Sequence, residues 1–289
     1  MEYIHYFESE SDFNQERVGS YKEPWVSYTA EKGVDYNRSL LETPLTIVAL
    51  GSGTFTWLNS KQVSASKNSS EWQTLTCGST ITLSSGDNIE LKGSNTSYGQ
   101  GDTYYTGRTS MSCTAQFNVK GNMMSLVYED TFPNMVTATS GSFPAFFRDC
   151  TTLVSAKDLL LPSTSLSGNA YKQLFLVCTS LVECPEILPA ETLQSSCYEQ
   201  MFCGCSSLVK APELPALTLT SNSYQGMFRD CSSLNYIKAM FTDPANNYNA
   251  TLAWVSNVSS AGTFVMNEAA TWNVSSIVPS GWTVVRVSY

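Results

Sequence analysis

The sequence predicts a mainly β protein with four parts. These are an extended N-terminal arm at residues 1–43, a small antiparallel β-sandwich at 44–120, a short solenoid at 121–243 and a C-terminal cap at 244–289. Three observations predict this organisation: a repeat in the second half, alternating apolar and polar runs in the first half, and a low content of charged residues, 14%. Ser, Thr, Asn and Gly take the place of the charges, which is typical of strands and turns.

Four segments of the second half share one pattern, aromatic-x-x-apolar-Phe-x-x-Cys, then two hydroxyl residues and Leu. They are FPAFFRDCTTL at 143–153, YKQLFLVCTSL at 171–181, YEQMFCGCSSL at 198–208 and YQGMFRDCSSL at 224–234. Their cysteines lie 28, 27 and 26 residues apart, and the Phe and Leu positions keep these intervals. A shared period predicts stacked coils with one continuous core.

Within each coil we expect a short helical turn that points Phe, Cys and Leu inward and then becomes a strand. Prolines at 185, 189, 212 and 215 would bend the chain at the corners. Cysteine is among the most buried residue types, so the repeated cysteines (Cys150, Cys178, Cys205 and Cys231) are predicted to pack rather than to do redox or metal chemistry. Cys203 and Cys205 lack zinc spacing, and no metal or cofactor is expected.

The repeat resembles the BspA-like leucine-rich repeats, in particular the 26-residue surface-protein variant of gut Bacteroides and their crAss-like phages. The resemblance covers about residues 140–243, and the tail with GTFVMN, AATWN and VPSGWTVV looks like the C-terminal cap of that family. It implies a leucine-rich-repeat solenoid in a structural or binding protein. A cap is also expected physically, since it protects the last strand edge.

Residues 44–120 alternate apolar and polar residues in short runs such as LTIV, TITL and NIELK, separated by turn-rich stretches such as SSGDN. This pattern predicts the antiparallel sandwich. The following segment, NMMSLVY, is expected to form an initial coil that shields the first repeat.

The arm at residues 1–43 is aromatic and acidic and shows neither period. One interpretation is a poorly ordered leader or linker. The other is an arm that orders on a partner, with Trp25, Tyr28 and Tyr36 as its anchors, since aromatic residues supply much of the energy of small interfaces.

Two further surfaces are candidates for binding. Tyr98, Tyr104 and Tyr105 in the loop YGQGDTYYTG could form a platform for a sugar or a protein, or could fold back on the sandwich. The solenoid face around Glu183, Lys210 and Asn235 is either a binding face or an ordinary solvated surface.

Composition and charge exclude several functions. A net charge of −9 disfavours nucleic-acid binding, and no run approaches the length of a membrane span. The first residues do not form a secretory signal, which predicts folding in a cytoplasm unless the chain is a processed precursor. With His5 as the single histidine, no catalytic residues and no enzyme activity are expected, although paired carboxylates leave a carbohydrate-active enzyme as a remote alternative.

Together with the resemblance, these points predict a phage virion structural protein, a head fibre or other capsid-surface appendage at the virion surface. The arm would attach to capsid or other virion proteins, the chain would form a homodimer or homotrimer, and the solenoid would contact glycans or other host-surface ligands. The alternative is a BspA-like adhesin on the bacterial cell surface.

Overall fold

The computed structural model of the protein describes residues 6–7, 25–26, 33–34, 36–99, 109–134, 142–244 and 249–288. Within this part the chain is mainly β, in several sheets, with short helices α1 (Arg38–Glu42) and α2 (Ser125–Tyr128) and 3₁₀ turns at Glu129–Asn134 and Val274–Ser276. The strands are β1 (Tyr6–Phe7), β2 (Trp25–Val26), β3 (Gly33–Val34), β4 (Tyr36–Asn37), β5 (Leu45–Ala49), β6 (Gly53–Trp57), β7 (Val63–Lys67), β8 (Gln73–Leu75), β9 (Thr80–Leu83), β10 (Asn88–Lys92), β11 (Met111–Cys113), β12 (Phe117–Asn122), β13 (Leu153–Leu160), β14 (Lys210–Leu214), β15 (Tyr236–Ala239), β16 (Thr263–Asn267) and β17 (Thr283–Val287).

The first half of the chain forms two sheets over one core. A six-stranded sheet has the order β13-β12-β5-β10-β7-β8, and a three-stranded sheet has the order β11-β6-β9. The predicted alternation is confirmed in β10, where Ile89 and Leu91 are buried while their neighbours face outward. Residues from both sheets belong to one hydrophobic cluster, so the sheets share a single core.

Strand β13 ties the repeats to the first half of the chain. It begins at Leu153, the last residue of the first repeat, yet it pairs in parallel with β12 at the edge of the six-stranded sheet. The hydrophobic cluster runs without a break from the two sheets into the repeats. Strand β12 crosses the domain boundary expected near residue 120, so the sheet is continuous where the sequence suggested a division.

Backbone hydrogen bonds join each repeat to the next. The Phe175 amide donates to the Met201 carbonyl at 2.8 Å, and the Phe202 amide donates to the Met227 carbonyl at 2.9 Å. Alternate amides instead donate three residues back within their own repeat, as Cys178 does to Phe175 at 3.1 Å. The repeats therefore lie side by side, and their amides are used alternately within and between repeats.

The expected helical turn is wrong. An α-helix would commit each amide to the carbonyl four residues earlier, whereas here every second amide is already bonded to the neighbouring repeat. The result is a ribbon of overlapping turns in which every fourth residue has positive φ, as at Asn169 (59°), Gln173 (58°) and Val177 (61°). The same positions recur in the next repeats, where Gly204 and Gly226 occupy two of them without strain.

The hydrogen-bonded ladder extends one segment beyond the four repeats. The Tyr224 amide donates to the Ala250 carbonyl at 2.9 Å and the Phe228 amide to the Trp254 carbonyl at 2.7 Å. In this register a fifth segment carries different residues at the repeat positions, namely Thr251 for Tyr, Val255 for Phe, Val258 for Cys and Ala261 for Leu. The sequence itself indicates this fifth segment, because VSSA at residues 258–261 lies 27 residues after CSSL of the fourth repeat at 231–234.

Side chains form columns across the repeats. The rings of Phe147, Phe175, Phe202 and Phe228 are stacked, with successive centroids 5.5, 5.3 and 5.7 Å apart. A second column stacks Phe143, Tyr171 and Tyr198, with centroids 6.1 and 5.9 Å apart. Because stacked rings add to the energy of burial, each repeat stabilises its two neighbours.

Three indoles, two buried (Trp254 and Trp282) and one half-buried (Trp272), close the C-terminal end. Trp254 donates to the Ile277 carbonyl at 2.8 Å, Trp272 to the Phe241 carbonyl at 3.3 Å, and Trp282 to the Ser259 carbonyl at 2.8 Å. They lie beside a parallel sheet of order β14-β15-β16-β17. Each indole therefore fixes a loop against the last strands.

Val177 is a strained position that can be relieved. It is a β-branched residue at φ 61° with 37% of its surface exposed, and left-handed backbone costs such a residue about 1–2 kcal/mol. Because asparagine tolerates this conformation, we expect Val177→Asn to raise the free energy of unfolding by about 0.5–1 kcal/mol in a denaturant titration. Val182→Asn, at an exposed valine without positive φ, should give no gain; an equal gain there would contradict the strain argument.

Candidate functional site

One row of side chains crosses the outward side of the parallel strands. We call it the outward row, and it comprises Glu183, Lys210, Tyr236, Thr263 and Thr283, whose side chains are exposed or half-buried. The strand register places Lys210 opposite Tyr236, Tyr236 opposite Thr263, and Thr263 opposite Thr283. Ser155, which lies opposite Glu183, is buried and does not belong to the row. Glu183 and Lys210 lie on adjoining segments, since the Cys184 thiol donates to the Lys210 carbonyl at 3.4 Å.

The alternation of the strands explains why this row faces outward. Ile237 and Ala239 point into the core and are fully buried, so Tyr236 and Lys238 point the other way. In β16, Phe264 and Met266 likewise fill the core. From Glu183 to Thr263, each row residue lies two positions after the residue that ends the repeat pattern, which is Leu in the four repeats and Ala261 in the fifth segment.

Contacts within and beside the row hold its side chains in place. The Ser155 hydroxyl donates to Glu183 Oε2 at 2.9 Å, and Lys210 Nζ lies 5.6 Å from the centroid of the Tyr236 ring. Beside the row, Lys238 Nζ lies 2.8 Å from Glu213 Oε2. The row is thus polar along its length, and part of the nearby charge is paired.

Exposed valines flank this row. Val182 and Val209 precede Glu183 and Lys210, and each has 42% of its surface exposed. Asn235, which precedes Tyr236, is also exposed. The structure therefore brings Glu183, Lys210 and Asn235 onto one surface, as the sequence predicted. Tyr236 and Thr263 were missed although they hold the same repeat position as Glu183 and Lys210, and Thr283 was missed because it follows no repeat.

Tyr98 was predicted either to join a surface platform or to fold back on the sandwich, and the structure shows the second and rules out the first. Its ring is fully buried, stacks on Phe143 with centroids 5.8 Å apart, and packs edge-on against Trp57 at 6.2 Å. Its hydroxyl donates to the Leu126 carbonyl at 2.6 Å, and burial raises the pKa of Tyr98 to about 12. Tyr98 therefore extends the column of Phe143, Tyr171 and Tyr198 by one ring and joins that column to the first half of the chain.

Most of the other aromatic candidates lie outside the described residues. This holds for Tyr28, Tyr104 and Tyr105. Trp25 and Tyr36 belong to β2 and β4, which pair antiparallel with Val26 opposite Tyr36. The arm as a partner-binding element stays a prediction.

The repeated cysteines are packed as predicted. Cys178, Cys205 and Cys231 are buried, and their thiols donate at 3.0 Å to the carbonyls of Phe147, Phe175 and Phe202 in the preceding repeats. Burial raises the pKa of all three thiols, and it raises the pKa of Cys150 to about 12. A thiol held neutral in this way is a poor nucleophile and a poor metal ligand.

Thiol labelling provides a direct test of this arrangement. All nine cysteines are free, and eight are buried while Cys77 is exposed. We expect one equivalent of a thiol reagent to react quickly with the native protein, and the other eight cysteines to react only on unfolding. Cys77→Ser should abolish the fast phase. Several fast equivalents in the native protein would show that the repeat cysteines are accessible.

Other features of the described residues offer little catalytic chemistry. No group of three or more His, Cys, Asp or Glu side chains there lies close enough to hold a metal ion, and His5 falls outside these residues. The fully buried Glu199 carboxylate lies 3.2 Å from Lys172 Nζ, which makes it an ion pair between adjacent repeats. No helix in the described ranges is long and apolar enough to span a bilayer.

Comparison with known proteins adds no relative. No protein-family model matches the chain, and neither a curated protein nor a solved structure matches it. The arguments about function therefore rest on the repeat and on the geometry of the outward row.

Proposed function

We propose that the protein is a virion structural protein of a phage, a head fibre or capsid-surface appendage with a short BspA-like leucine-rich-repeat solenoid. Residues 44–120 would form its β-sandwich and residues 1–43 its attachment arm. The hydrogen-bonded ladder and the stacked phenylalanines support the solenoid, because they join equivalent positions of successive repeats. The repeat pattern supports the family.

The reduced state of the cysteines is the observation that favours a virion protein over an exported adhesin. Cys178, Cys205 and Cys231 use their S–H groups as hydrogen-bond donors to backbone carbonyls, a role that only the reduced thiol can fill. Exported proteins mature in oxidising surroundings, where free thiols pair, whereas phage proteins fold in the reducing host cytoplasm. Nine free cysteines thus favour the virion protein.

The alternatives have weaker support. A bacterial BspA-like adhesin would share the repeat, but nine cysteines without a disulfide are less common in an exported protein than in one that folds in a reducing cytoplasm. A carbohydrate-active enzyme would need two facing carboxylates in a cleft. The two carboxylates in and beside the outward row already have partners. Glu183 accepts a hydrogen bond from Ser155 and Glu213 forms a salt bridge with Lys238, so we infer binding rather than catalysis.

Mass spectrometry of purified particles tests the proposal. We expect peptides of this chain in particles purified from a phage that carries its gene, at a stoichiometry matching a dimeric or trimeric appendage. Light scattering of the purified full chain should give the same oligomer. Absence from the particles, together with a strictly monomeric chain, would overturn the proposal.

A further inference from the structure

We propose that the outward row binds an extended, uncharged glycan that runs across the strands, with about one sugar residue for each strand. This inference rests on the proposed function, since it names the ligand class and the site of the binding surface. It concerns Glu183, Lys210, Tyr236, Thr263 and Thr283, which lie on five neighbouring segments.

The chemistry of the row matches a polyhydroxylated ligand. Serine, threonine and tyrosine hydroxyls both donate and accept hydrogen bonds, while the carboxylate accepts and the ammonium group donates. Ser155 orients Glu183 at 2.9 Å, which leaves the second carboxylate oxygen available to sugar hydroxyls. The Lys238–Glu213 pair at 2.8 Å reduces the net charge beside the row, which suits an uncharged ligand better than a charged one.

The spacing of the row matches a linear polymer. Neighbouring strands lie about 4.8 Å apart, so five segments span about 19 Å. This step is close to the length that one hexose adds to an extended glycan. A chain laid across the strands would therefore meet one polar side chain at each sugar.

Apolar groups suited to the C–H faces of sugars lie along the same line. The Tyr236 ring is half-buried with Lys210 beside it, and Val182 and Val209 border the row. A protein partner is favoured less, because protein interfaces are centred on clusters of buried aromatic and aliphatic anchors, and Tyr236 is the single aromatic member of this row.

Calorimetric titration of the full chain with neutral linear oligosaccharides tests the inference. The probes run from disaccharide to octasaccharide in gluco, manno and galacto configurations. We expect one configuration to bind, with an affinity that rises with length and levels off near the pentasaccharide, where the row ends. Tyr236→Ala and Lys210→Ala should each weaken the binding of the pentasaccharide about tenfold.

Lys61→Ala serves as the matched control, because Lys61 is an exposed lysine of the first half of the chain and should not affect binding. All three substitutions are at solvent-accessible side chains, and unchanged thermal unfolding would show that they fold. Binding that is independent of length, insensitive to both row variants or absent for every probe would overturn the inference, as would a protein ligand whose binding these variants abolish. A chain found in virions that binds no oligosaccharide would contradict this site alone, whereas a chain absent from virions that binds the pentasaccharide would contradict the virion proposal alone.

Discussion

Phe202→Ala is expected to lower the free energy of unfolding by about 3–5 kcal/mol, because it removes a buried ring from the centre of the phenylalanine column. The Phe202 ring is fully buried, with its centroid 5.3 Å from Phe175 and 5.7 Å from Phe228. Both neighbours are held by repeats of their own, so the gap cannot close by a small shift. Denaturant titration followed by circular dichroism and by tryptophan fluorescence measures the loss.

Leu217→Ala provides the comparison for Phe202→Ala within the same repeat. Leu217 has 39% of its surface exposed, so its truncation should cost less than about 1 kcal/mol. Similar losses for the two variants would mean that the phenylalanine column does not carry the stability of the repeats.

Trp254→Ala is expected to cost a similar amount, about 3–5 kcal/mol, at the C-terminal end. The indole is buried against Tyr224, Phe241 and Phe264, with ring centroids 6.3, 5.7 and 6.0 Å away. Its N–H donates to the Ile277 carbonyl at 2.8 Å, so the substitution also leaves that carbonyl without its donor. Hydrogen exchange should show β16 and β17 losing protection before the first repeats do.

Two other substitutions distinguish the loss of buried ring contacts from the loss of an indole as such. Trp254→Phe keeps most of the ring contacts and should cost about 1–2 kcal/mol less than Trp254→Ala. Trp72→Ala removes an indole that is 43% exposed beside Lys92, and it should change stability little. If Trp72→Ala were as damaging as Trp254→Ala, the Trp254 contacts would not explain the effect.

The repeat positions show how far sequence reasoning reaches. Cysteine at a fixed interval, between Phe and Leu, predicted a packed column, and Cys178, Cys205 and Cys231 confirm it. The interval also indicated which strand residues share a face. The fifth segment was missed because Val255 and Val258 replace Phe and Cys there, and a search for identical residues does not register such substitutions.

Tyr98 and the ribbon of turns show where that reasoning fails. A tyrosine in a glycine-rich loop is typical of a surface, and only the stacking on Phe143 reveals that Tyr98 continues a column that begins 45 residues later. The prediction of a helical turn in each repeat was wrong for a related reason. Local patterns describe bonds within a segment, whereas the Phe175 amide bonds to Met201 in the next repeat.

The sequence by itself determined the mainly β class, the period and the burial of the repeated cysteines, because alternation and repetition encode which side chains must leave water. Only the tertiary structure decided that the repeats run as turns rather than helices, that Tyr98 belongs to the core, and that the residues from Glu183 to Thr283 form one outward row. Each of these depends on a partner that is distant in sequence. The position of such a partner follows from the packing of the whole chain and not from the residues beside it.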